Sequence, residues 1–176
     1  MASDAICSTR RSILMGAAAG LGVGALASTV PRAWGRALQA GAPGDLVSRA
    51  IPSSGERLPV IGIGTARRFD VGENALQREP LRAVLDEFAR LGGRVVDTAP
   101  SYGNAERVIG DLVEQLGIRG RLFLATKVDA GREGREAGVA QLEASMQRLR
   151  VGHLDLLQVH NLAGAEEMLP LAQEWK

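Results

Sequence analysis

A chain of 176 residues that is 45% apolar and 23% charged can bury a core, which excludes an intrinsically disordered protein. Its net charge of +1 conceals a split, because Arg10, Arg11, Arg32 and Arg36 face only Asp4 in the first 40 residues, while the remainder holds 17 cations and 19 acids. No basic stripe suited to nucleic acid results, and the only cysteine, Cys7, leaves the rest of the chain without a disulfide, a thiol nucleophile or a thiolate metal site.

Thr9-Arg10-Arg11-Ser12-Ile13-Leu14 opens an apolar stretch that runs from Ile13 to Val30. Paired arginines before a weakly hydrophobic, Gly- and Ala-rich segment resemble a twin-arginine export signal. A membrane anchor is the alternative, since 18 residues approach the spanning length, but Gly16, Gly20, Gly22 and Gly24 make a poor helix and a weak lipid partner. Residues 1–40 are therefore expected to be a signal peptide, cleaved after Ala25-Leu26-Ala27 or near Ala40, with residues 41–176 as the body. Such a signal implies the twin-arginine translocase as a partner during export, only transient membrane contact, a folded cargo and a periplasmic or other extracytoplasmic destination.

In the body, Arg49-Ala50-Ile51 and Arg57-Leu58-Pro59 flank Pro52-Ser53-Ser54-Gly55, which predicts a hairpin turning near Ser54-Gly55. Val60 to Gly64 predicts the first core strand, and Ala66 to Glu79 a long polar loop. A helix is expected from Pro80, with Leu81, Val84, Leu85 and Phe88 on one face and Gly92-Gly93 as its stop. The unit then recurs, with strands near Val95, Leu122 and Leu154 and helices from about Asn104, Glu133 and Ala165, the middle two ending near Gly117 and Gly152. Four βα units in series predict a parallel α/β arrangement, either an open doubly wound sheet or part of a (β/α)₈ barrel. A full barrel needs about 250 residues, and the reading adopted is its first half, truncated.

The candidate site gathers at the strand ends. Arg94-Val95-Val96 stops at Asp97, and Pro100 and Gly103 turn the chain out so that Tyr102 lies on the loop beyond. Leu122 to Lys127 ends on a lysine and Leu154 to Asn161 carries His160 near its end. Tyr102 is the only tyrosine, Lys127 one of two lysines among nineteen arginines, and His160 one of two histidines. Parallel strands lie about 4.8 Å apart, so these groups can meet over one rim. An ammonium beside a phenol favours the phenolate, and Asp97 can keep Lys127 charged. Tyr102 then serves as a general acid toward a carbonyl oxygen, with His160 supplying or orienting a second hydrogen bond.

Gly62-Ile63-Gly64-Thr65, Asp97-Thr98-Ala99 with Tyr102-Gly103 and Glu106, Ala125-Thr126-Lys127-Val128, Ser145 with Arg148-Leu149, and Asp155 through Asn161 together resemble the aldo-keto reductase family. The resemblance implies a TIM (β/α)₈ barrel of which the first four βα units are present, with NADPH as the hydride donor and a small-molecule carbonyl or alcohol as substrate. It implies that Asp97, Tyr102, Lys127 and His160 form the catalytic tetrad, with Tyr102 as proton donor. By the same resemblance Gly64, Thr65 and Asp97 touch the nicotinamide end of the cofactor, the early hairpin plugs the barrel bottom, and most remaining cofactor contacts come from the barrel's second half. Two rival readings are a non-catalytic cofactor-sensing or scaffold barrel and an inactive fragment. His153 reads as a surface or capping residue, Arg132, Glu133, Arg135 and Glu136 as a solvated helix start, and Phe69 as loop packing or a pocket wall. No metal site is expected from two histidines at opposite ends of one strand.

Overall fold

The computed structural model describes residues 46–130 and 133–175, so residues 1–40, where an export signal is expected, lie outside the described residues. Strands β1 (Ser48–Ala50) and β2 (Arg57–Pro59) form the expected antiparallel hairpin, with Ser48 opposite Pro59. Its turn closes through Gly55 N donating to Ile51 O at 2.8 Å, with Gly55 at a φ of 75° that side-chain-bearing residues avoid. Arg94, just before the second core strand, donates to Arg57 O at 3.1 Å and pairs with Glu56 at 2.7 Å. Those bonds set the hairpin at the end of the sheet opposite Asp97.

The first core strand, β3 (Ile63–Gly64), is shorter than Val60 to Gly64. Val60 instead donates its N–H to Val47 O at 2.9 Å and so extends the hairpin. At the passage between hairpin and sheet, a Cβ on Gly62 would lie 2.8 Å from Val95 O, so only glycine admits this approach.

Helix α1 spans Ala75–Arg90 and begins five residues before the expected Pro80, which lies inside it. Asn74 caps it by accepting from Leu76 N at 2.9 Å. The proline forfeits one bond to the carbonyl of Leu76, a residue 85% exposed, so water serves that carbonyl at little cost. No apolar period marks Ala75 to Glu79, and periodicity alone could not have reached the true start.

Next come β4 (Val95–Asp97), α2 (Ala105–Leu116), β5 (Phe123–Val128), α3 (Arg135–Leu149), β6 (Leu156–Val159) and α4 (Ala165–Glu174). Gly117 caps α2 in the left-handed region as expected, but α3 ends on Arg150 at φ 55° rather than at Gly152. That strained arginine is held by Asp111, 2.7 Å away, and by Glu114 at 3.1 Å, both on α2.

β3, β4, β5 and β6 form one parallel sheet in chain order. Val96, Leu124 and Val128 point to the helix layer: the first two join Leu85, Ile109, Leu112 and Leu149, while Val128 joins Leu142, Met168 and Leu171. A doubly wound sheet reverses its strand order and carries helices on both faces. A run of strands in sequence with their helices on one face is what a (β/α)₈ barrel contains. α2 and α3 pack so closely that a Cβ on Gly110 would meet Arg148 O at 2.2 Å. No helix among the described residues is long and apolar enough to cross a membrane.

Candidate active site

Sheet register brings the predicted residues together. Gly64 and Ala125 flank Asp97, and Lys127, two residues beyond Ala125 and so on the same face, flanks Gln158. His160 follows two residues later, in a one-turn 3₁₀ segment whose Asn161 and Leu162 take φ of 53° and 56°. The set therefore steps by two residues from strand to strand, at the end where the chain leaves the sheet.

Lys127 Nζ donates to Asp97 Oδ1 at 2.8 Å, Asp97 Oδ2 at 2.7 Å and Thr98 O at 2.8 Å, which uses all three ammonium hydrogens. Gln158 adds a bond to Asp97 Oδ1 at 3.0 Å. The ammonium stands 5.1 Å from the centroid of the Tyr102 ring, within cation–π range. His160 meets Tyr102 in a perpendicular, T-shaped contact, with centroids 5.9 Å apart and planes at 85°. The imidazole Nδ1 lies 3.0 Å from Asp129 Oδ2 and 3.2 Å from Ser101 Oγ. Asp97, Tyr102, Lys127 and His160 thus form one contiguous cluster.

The other two candidate cofactor contacts, Gly64 and Thr65, adjoin Asp97 at this rim and differ in exposure. Gly64 is exposed and a Cβ there would meet nothing within 4 Å, so open space borders Asp97. Thr65 is fully buried, and its hydroxyl donates to Asp97 O at 2.9 Å, tying β3 to β4.

Gln158, Asp129 and Ser101 did not emerge from sequence reasoning, although each sits one or two residues from a predicted site residue. Glu106 lies behind β5, 1% exposed, accepting from Thr126 at 2.6 Å and from Arg148 at 2.8 Å, with Arg148 also bonded to Ser145. This group fastens α2, β5 and α3 to one another directly behind the lysine strand. Phe69 is buried in the first core, so it is packing and not a pocket wall. His153 is a surface residue, its side chain 74% exposed beside Asp155. Among the described residues no three His, Cys, Asp or Glu side chains are grouped to hold a metal ion. A cleft of about 770 Å³ between α4 and the start of β6, lined by Leu156, Leu169 and Trp175, lies at the opposite end of β6 from His160.

Residues 60–174 match the model of the aldo/keto reductase family. The chain belongs to the aldo/keto reductase family. It is 37% identical over 105 residues to the methylglyoxal reductase YeaE of Escherichia coli, a match that covers 58% of this chain and 35% of that protein. An aldo-keto reductase of Mycolicibacterium vanbaalenii is 34% identical over 110 residues, covering 62% and 36% respectively. Among solved structures, an aldo-keto reductase from Klebsiella pneumoniae in complex with NADPH superposes with a TM-score of 0.59 at 29% identity, covering 74% of this chain and 48% of that one. A Klebsiella pneumoniae aldo/keto reductase in complex with NADP and acetate gives 0.57 at 31% identity, with 69% and 44% covered. This aldo/keto reductase chain spans about a third of the length of the curated relatives it matches and about half of the solved ones.

Proposed function

We propose that this chain carries the proton-donating half of an NADPH-dependent carbonyl reductase, in which Tyr102 protonates the oxygen of an aldehyde or ketone. The observation that carries this reading is one phenol with a saturated ammonium over its ring and an imidazole in perpendicular contact with it. A carboxylate pair and a carbonyl pin Lys127, so its positive charge stays beside the ring as charge develops on the phenol. Tyr102 Oη has no hydrogen-bond partner among the described residues, which leaves its proton for a substrate oxygen.

The donor set suits a nicotinamide at its reacting end, where open space beside Gly64 adjoins Asp97. When bound, NADPH supplies a hydride to the carbonyl carbon. Tyr102 gives its proton to the oxygen as the C=O π bond breaks, and the resulting phenolate recovers a proton from solvent. In the reverse direction the phenolate takes the proton of an alcohol. The solved relatives bound to NADPH and NADP support this choice of cofactor. The four strands in barrel order support a place in the first half of a (β/α)₈ barrel, whose further strands would hold the rest of the cofactor.

Tyr102→Phe tests the reading. NADPH-dependent reduction of a small aldehyde is expected to fall by about 10² to 10⁴-fold, with NADPH binding, followed by fluorescence titration, little changed. Activity that survives the substitution overturns the acid assignment, and a chain that neither binds NADPH nor turns over supports the inactive-fragment reading.

Residues 1–40 support export by the twin-arginine route to the periplasm through Arg10 and Arg11. Fractionation of cells that make the chain with both arginines changed to lysine is expected to find it retained in the cytoplasm.

A further inference from the structure

His160 is approached at one ring nitrogen by two groups of different chemistry. Nδ1 lies 3.0 Å from Asp129 Oδ2 and 3.2 Å from Ser101 Oγ, and Nε2 has no partner among the described residues. A hydroxyl can donate or accept, so Ser101 alone would suit either tautomer. An ionised carboxylate can only accept. With Asp129 at that distance the proton of the neutral ring belongs on Nδ1, and Nε2 is left with its lone pair.

We infer that Asp129 is a positioning residue that fixes His160 as the Nδ1–H tautomer, so that neutral His160 accepts at Nε2 and donates there only as the imidazolium. The sequence leads to a less specific expectation, in which His160 supplies or orients a second hydrogen bond to the carbonyl oxygen with no tautomer assigned. The geometry divides the two directions of the reaction. Imidazolium assists carbonyl reduction by donating from Nε2, and neutral imidazole assists alcohol oxidation by accepting from the substrate hydroxyl. This consequence for turnover rests on the reductase reading above, whereas the tautomer itself does not.

The charged and titratable groups around the ring agree with this assignment. Asp129 comes from the segment after β5, and Tyr102 meets the imidazole in a perpendicular contact from the loop after β4. Lys127 stands beyond Tyr102 with its ammonium turned to Asp97 and Thr98, so it takes no place on the imidazole. Glu166 and Glu167, on the helix that follows His160, make no hydrogen bond to the ring among the described residues. Ser101 completes a serine–histidine–aspartate trio in composition only. Its hydroxyl and the carboxylate share Nδ1, whereas a nucleophile triad needs them on opposite ring nitrogens.

The test is long-range ¹H–¹⁵N correlation NMR of the 176-residue chain, which has two histidines, with His153→Gln to assign the signals. In its neutral form, wild-type His160 is expected to show a protonated-type Nδ1 and a lone-pair-type Nε2. Asp129→Ala is expected to shift the ring toward the Nε2–H form that free imidazole side chains prefer, and Ser101→Ala to leave it as in the wild type. An Nε2–H ring in the wild type overturns the inference, as does an Nδ1–H ring that persists in Asp129→Ala. No turnover is needed for either outcome. An inactive chain with an Nδ1–H ring therefore supports the inactive-fragment reading and the tautomer together.

Discussion

Lys127 donates to both carboxylate oxygens of Asp97, at 2.8 and 2.7 Å, and spends its third hydrogen on Thr98 O at 2.8 Å. The charge is thereby parked over the face of Tyr102 instead of against its oxygen. An arginine could not reproduce this, because a planar fork cannot aim three hydrogens at one carboxylate and a carbonyl from a single nitrogen. On the reductase reading, Lys127→Met and Lys127→Arg are each expected to lower kcat for carbonyl reduction by about 10² to 10³-fold. Recovery of near wild-type turnover by arginine would show that only net charge matters.

The Glu106–Arg148 pair behind β5 is unequal in exposure, with side chains 1% and 29% exposed. Removing Arg148 strands a buried carboxylate, a loss of about 3 to 5 kcal/mol. Arg148→Met should therefore lower the urea midpoint strongly, and adding Glu106→Leu should restore part of it, because the double variant leaves no buried charge. Equal midpoints for the single and double variants would remove the pair from the account of stability.

Gly110 on α2 faces the backbone at the end of α3, where an added Cβ would lie 2.2 Å from Arg148 O and 2.9 Å from Leu149 Cα. Backbone cannot move aside as a side-chain tip can. Gly110→Ala is expected to cost about 1 to 3 kcal/mol, against the small gain that alanine brings to an ordinary helix position. A thermal midpoint that rises in Gly110→Ala would mean the two helices have room to part.

Asp111 joins three elements: it pairs with Arg78 of α1 at 2.8 Å and with Arg150, the cap of α3, at 2.7 Å. Burial by itself raises the Asp111 carboxyl, but hydrogen bonds from the two arginines outweigh it and hold the group below its ordinary value. A folded-state value below the unfolded one, which is about 4, means stability that is present above that pH and is lost as pH falls through the lowered folded value. Asp111→Asn is expected to be less stable than wild type at pH 7 and nearly level with it at strongly acid pH, read by urea midpoints across the range. A difference that stays constant with pH would assign the effect to packing rather than to charge.

Much of this was legible in the sequence. Short apolar runs, glycine at turns and helical spacing are local signals, and they placed Asp97, Lys127 and His160 at strand ends and Tyr102 on the loop beyond Asp97, because a strand's end is written in its own residues. Where local signals were weak or conflicting the reading slipped. Ala75 to Glu79 has no apolar period, so α1 was expected from Pro80, and Gly152 drew attention from Arg150, whose left-handed turn is sustained by ion pairs from another helix.

Only the tertiary structure decided who touches whom at the site. Sheet register sets Lys127 beside Gln158 and Asp97 beside Ala125, and register depends on neighbouring strands, not on any one of them. From it follow the Gln158 bond to Asp97, the use of Thr65's hydroxyl on the main chain of β4, and the meeting of Asp129 and Ser101 at one nitrogen of His160. The sequence by itself determined which groups arrive at the rim. The stagger of the strands determined which hydrogen each of them has left to give, because a donor's partners are chosen by distances between segments 30 or more residues apart.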